Sequence, residues 1–93
     1  MKKSNLMKIN KNYLLQEIDG SFMVVAVGGA VKKLKGYITL NETAVCLWKA
    51  LEKGATREDL IKTLTENYEV SAELAERDAD KFIKTLKEKD ILE

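Results

Sequence analysis

Two hydrophobic periods divide this chain near residue 40. Before it, apolar residues come in short blocks cut by glycine. After it, they recur every three or four positions. Tyr13–Ile18 (YLLQEI) and Ser21–Val27 (SFMVVAV) are rich in the aromatic, aliphatic and β-branched types that suit a pleated surface. Asp19-Gly20 between them is a two-residue turn of the kind that favours positive φ, so the pair predicts a hairpin. The apolar run around Phe22, Val24 and Val25 is continuous, which predicts at least partial cover on both faces. Gly28-Gly29 ends it. Ala30–Lys35 (AVKKLK) reads as a loop or frayed strand extension carrying solvated lysines. Gly36 opens a third strand, Tyr37–Leu40. That strand is short, which suits a sheet edge with unpaired backbone groups. Alternation sends Ile38 and Leu40 inward and turns Tyr37 and Thr39 away.

From Asn41 onward the pattern is helical. Asn41 is a preferred N-cap for a helix over Glu42–Lys53, whose Ala44, Leu47, Trp48 and Leu51 form one stripe at i, i+3, i+4 and i+7. Gly54 marks its end. Thr56 caps a second helix, with Glu58 and Asp59 against the positive end of its dipole and Leu60, Ile61, Leu64 and Tyr68 on one face. Ser71 caps a third, Ala72–Lys89, with Ala75, Ala79, Phe82, Ile83 and Leu86 as the buried stripe. Small residues at 75 and 79 allow something to approach this helix closely. Trp48 and Tyr68 are expected in the core, and Ile91-Leu92 is expected to fold back on it. Three antiparallel strands followed by three helices make an α+β arrangement. Residues 1–12 are expected to form a flexible N-terminal arm, with weak pairing near Met7–Ile9, and 13–93 a single domain.

Composition narrows the chemistry. The 93 residues include 16 basic and 15 acidic side chains, a net charge of +1, which gives no electrostatic case for nucleic acid. No apolar segment approaches a membrane span, and no signal-peptide core follows Lys2-Lys3, so the expected location is cytoplasmic. Histidine is absent, and Cys46 is the only cysteine. The usual general base, metal ligand and Cys–His nucleophile are therefore missing, and Cys46 is expected as a buried, inert thiol. No glycine-rich phosphate loop or calcium-loop spacing occurs. These observations point to a binding module without enzymatic activity, metal or cofactor.

Two binding modes suit a short exposed strand followed by three helices. One is addition of an extended peptide to the edge strand. The other is a helix–turn–helix entering the DNA major groove. The third helix carries Arg77, Lys81, Lys84, Lys87 and Lys89, but its N-terminal half is acidic and would meet phosphate repulsion. A winged-helix DNA-binding or transcription-associated module is therefore the alternative, and a plain protein–protein adaptor a third reading.

The run Ile38-Thr39-Leu40-Asn41-Glu42-Thr43-Ala44 with Leu47-Trp48, then Gly54-Ala55-Thr56-Arg57-Glu58-Asp59-Leu60, resembles the PqqD family. So do Asp78-Ala79-Asp80-Lys81-Phe82-Ile83-Lys84-Thr85-Leu86-Lys87 and the closing Asp90-Ile91-Leu92. The resemblance covers about residues 13–93. It implies a winged-helix-like fold and a recognition element for ribosomally made, post-translationally modified peptides. Such an element binds the leader segment of a precursor peptide and presents the rest to a modifying enzyme, often a radical SAM protein. The leader is expected as an added antiparallel strand on Gly36, Tyr37, Ile38, Thr39 and Leu40, against a helix wall at Asp78, Lys81, Phe82 and Thr85. Two departures stand out. Ala79 replaces a larger aliphatic residue, which bears on groove width, and Asp90 stands where glycine is common. An edge that accepts a peptide also accepts its own copy, so dimerisation through the strand region, or by exchange of an N-terminal segment, is a further expectation.

Overall fold

The computed structural model describes residues 6–32 and 37–93. Three strands, β1 (Tyr13–Ile18), β2 (Ser21–Ala26) and β3 (Ile38–Leu40), form an antiparallel sheet in the order β1-β2-β3. Asp19 and Gly20 both take positive φ, 52° and 80°, as a type I′ hairpin turn requires. The turn sets the register from Ile18↔Ser21 to Tyr13↔Ala26, and β3 continues it through Phe22↔Leu40 and Val24↔Ile38. Tyr13, Val24 and Leu40 are consequently buried on one face, while Leu14 and Ile18 are exposed on the other. Met23 and Val25 on that outer face are half-buried. β2 stops at Ala26, one residue short of the expected end. Val27 then donates its N–H to the Asn12 carbonyl, and a 3₁₀ turn covers Gly28–Lys32, where a loop or strand extension was expected.

Helices α1 (Glu42–Glu52), α2 (Arg57–Asn67) and α3 (Ala72–Glu88) follow the capping residues closely. Asn41, Thr56 and Ser71 each accept a backbone N–H from three residues on. Thr56 and Asp59 complete a capping box, and the hydrogen bond from the Thr56 N–H holds the Asp59 carboxyl below its ordinary pKa. Gly54 ends α1 at φ +95°, a conformation that other residues rarely adopt. α3 ends in a Schellman motif. Asp90 sits at φ 61°, its N–H reaches the Lys87 carbonyl, and the Ile91 N–H reaches the Leu86 carbonyl. This left-handed geometry is the physical reason glycine suits position 90.

The helices cover the inner face of the sheet. Trp48, Leu51, Leu60, Ala75, Ala79 and Ile91 are fully buried in one cluster, and the Trp48 indole N–H donates to Glu52. α2 packs on α3, and Ala75 and Ala79 of α3 are fully buried. Ile91 folds back as expected.

The expected N-terminal arm is tied over part of its length. Met7 and Ala55 exchange both backbone hydrogen bonds, at 2.7 and 2.9 Å. Asn10 donates to Ile91 and Glu93 to Lys8, around an Ile9↔Leu92 bridge. Ile9 is buried against the core. The apolar side chains of Met7 and Ile9 thus seat a segment whose lysines and asparagines suggested looseness.

Candidate functional site

β2 covers one side of β3. No other strand of the described residues pairs with its outer side. A groove of about 320 Å³ opens here. One side is β3 itself, with Ile38, Thr39 and Leu40. Its end is the first turns of α1, with Asn41, Thr43, Ala44 and Leu47. The far wall is α3, with Asp78, Lys81, Phe82, Thr85 and Leu86, and Val24 of β2 contributes below. These α3 residues share a face because their spacings of three and four match the helical period.

Seven of the nine residues expected at a binding site therefore meet in one place: Ile38, Thr39, Leu40, Asp78, Lys81, Phe82 and Thr85. Tyr37 precedes β3, is 62% exposed and does not line the groove. Gly36 lies outside the described residues, as do Lys33 and Lys35. Ala79 is fully buried in the core and is not among the residues that line the groove.

The interior of the groove is apolar, formed by Val24, Ile38, Leu40, Leu47, Phe82 and Leu86, and its rim is polar. The Thr85 hydroxyl donates to the Lys81 carbonyl on its own helix at 3.0 Å, and the Asn41 side-chain oxygen is taken by the Ala44 N–H at 2.9 Å. Neither Asp78 nor Lys81 has a side-chain partner among the described residues. Their counterparts on the opposite face do. Arg57 makes a bidentate pair with Asp80, at 2.6 and 3.0 Å, and reaches Glu76 at 3.6 Å. That contact holds the Asp80 carboxyl below its usual pKa and raises the Arg57 guanidinium.

Cys46 is half-buried, less enclosed than expected. Tyr68 is also half-buried. Its hydroxyl lies 3.5 Å from the Glu42 carbonyl, and burial, with Cys46 alongside, pushes its pKa up. Among the described residues no three His, Cys, Asp or Glu side chains gather to hold a metal ion, and no helix is long and apolar enough to cross a membrane.

The family described as Coenzyme PQQ synthesis protein D (PqqD) matches residues 13–92. The chain belongs to the PqqD family. Two solved structures share the fold of this PqqD-family chain. TbiB1 in complex with the TbiA(beta) leader peptide is 24% identical, with a TM-score of 0.75 over 92% of this chain and 94% of that one. Lasso peptide synthetase B1 complexed with the leader peptide is 25% identical, with a TM-score of 0.74 over 94% of this chain and 96% of that one. No curated protein matches the chain. The α+β, winged-helix-like fold expected of a PqqD-family member is the one observed, three antiparallel strands followed by three helices.

The contribution of α1 escaped the sequence reading. Ala44 and Leu47 belong to the core stripe of a helical period, yet they also close one end of the groove. The signal was the absence of any linker. A helix that begins two residues after an edge strand must stand its first turn at that strand's end.

Proposed function

We propose that this protein binds the leader segment of a ribosomally synthesised precursor peptide and presents the remainder to a modifying enzyme. The observation that carries this reading is the outer side of β3, unpaired among the described residues, opening directly onto an apolar groove walled by α3. An extended peptide laid there satisfies the strand's free backbone groups and places alternate side chains into the groove. Membership of the PqqD family supports it, as do two fold relatives that were each solved with a leader peptide bound.

In this reading residues 36–40 supply the backbone ladder. Phe82 and Ile38 receive an apolar side chain of the leader, and Asp78, Lys81 and Thr85 border it. The protein acts by binding and carries no catalytic group of its own. Its second partner is the peptide-modifying enzyme, a radical SAM enzyme being the class that the resemblance implies.

The test is amide NMR on labelled protein titrated with leader peptides from candidate short precursor reading frames. Shifts concentrated at 37–41 and 78–86 are the expected result. Shifts confined to β1 or to the outer face of α2 would overturn the strand-addition site. Shifts with duplex DNA and none with the leader would hand the function to a winged-helix DNA-binding role.

A further inference from the structure

We propose that Asp78 sets which peptides the groove accepts, by requiring a Lys or Arg side chain opposite its carboxylate. The proposal rests on the leader-binding reading above and specifies the chemistry of that leader.

α3 carries carboxylates on two faces. Asp78 and Asp80 are two residues apart and so point about 200° away from each other around the helix. Asp80 and Glu76 turn toward α2, where Arg57 holds both. Asp78 turns into the groove and meets no cation among the described residues. Lys81, one turn on, forms no ion pair with it, and the Thr85 hydroxyl is spent on its own helix. Asp78 is already half-buried and stands beside the apolar surface of Phe82.

A peptide seated in the groove strips the remaining water from this carboxylate. A carboxylate that loses water without gaining a partner is strongly unfavourable, whereas a cationic donor restores it with charge-assisted hydrogen bonds. Attraction between half-exposed charges is modest, so the discrimination comes mainly from rejecting segments with an apolar or acidic residue at that position. Lys81 is exposed and its long stem keeps the ammonium in water, so it imposes no matching demand for an acid.

The experiment selects a randomised peptide library on the immobilised full chain, on Asp78→Asn and on Asp78→Lys, each checked for native circular dichroism. The wild type is expected to enrich Lys or Arg at one fixed offset from an apolar anchor residue. Asp78→Asn is expected to keep the anchor and lose the basic preference, and Asp78→Lys to prefer Asp or Glu there. For one selected peptide, replacing its basic residue by Gln is expected to weaken binding to the wild type about tenfold, and to change binding to Asp78→Asn little. Peptides that occupy the groove with an apolar anchor but no charge preference would overturn this assignment and leave leader binding standing. A library yielding no groove binder at all would overturn both.

Discussion

Tyr13 begins β1 and is 3% exposed, and no protein group among the described residues accepts a hydrogen bond from its hydroxyl. Its ring fills the core, and none of the described residues stands in hydrogen-bonding position at its oxygen. A buried hydroxyl without a partner costs roughly 1–3 kcal/mol relative to its hydrated state. Tyr13→Phe keeps the ring and removes that penalty. It gives up only the dispersion contacts of one oxygen, each about 0.1–0.2 kcal/mol. The expected net effect is a stabilisation of about 1 kcal/mol, with no change in backbone structure. In a domain of this size that raises Tm by roughly 4–8 °C. Thermal and urea unfolding followed by circular dichroism measure it directly, and an unchanged m-value shows that the surface exposed on unfolding is unaltered. Tyr68→Phe is the control. Its hydroxyl is half-buried and only 3.5 Å from the Glu42 carbonyl, so its removal is expected to change stability by less than about 0.5 kcal/mol. A loss of 1 kcal/mol or more in Tyr13→Phe would refute the reasoning, because it would mean the hydroxyl is satisfied in solution, for instance by a bridging water.

Other outcomes follow from the same geometry. Ala44→Phe places a ring in the groove at the end formed by α1, and is expected to abolish peptide binding in a fluorescence titration while unfolding at nearly the wild-type temperature. Asn41→Ala removes the cap of α1 and is expected to cost about 1 kcal/mol in urea unfolding. Folding lowers the carboxyl pKa values of Asp59 and Asp80, so their stabilisation is present above the unfolded carboxylate value and is lost as pH falls through the lower folded values. Acid unfolding of Arg57→Ala is therefore expected to show a weaker pH dependence below about pH 4 than the wild type. Sedimentation velocity over a concentration series is expected to show self-association through the β3 edge that added leader peptide reverses. A monomer at every concentration would remove that prediction.

The sequence carried most of the fold because local signals agreed with tertiary packing. Asp19-Gly20 specifies a turn that sets one register, and Asn41, Thr56 and Ser71 each announce a helix that does begin there. The α3 wall was legible because its residues follow a single period and resemble a family motif. Legibility failed where one residue serves two surfaces or where order comes from distant partners. Ala44 and Leu47 satisfy a core stripe and so concealed their place in the groove. Residues 7–10 look like a polar arm with weak pairing near Met7–Ile9, whereas their bridges to Ala55 and Ile91–Glu93, far along the chain, and the burial of Ile9 hold them.

The clasp between residues 7–10 and 91–93 also has a consequence for assembly. It brings residues 8–10 and 91–93 side by side, and none of these residues lines the groove. The domain can therefore be spliced into a larger polypeptide, joined to a second protein through either end, or circularly permuted, with the groove still open. A tether of adjustable length attached at the clasp would hold a modifying enzyme near the bound peptide and raise its effective concentration without touching the residues that bind it.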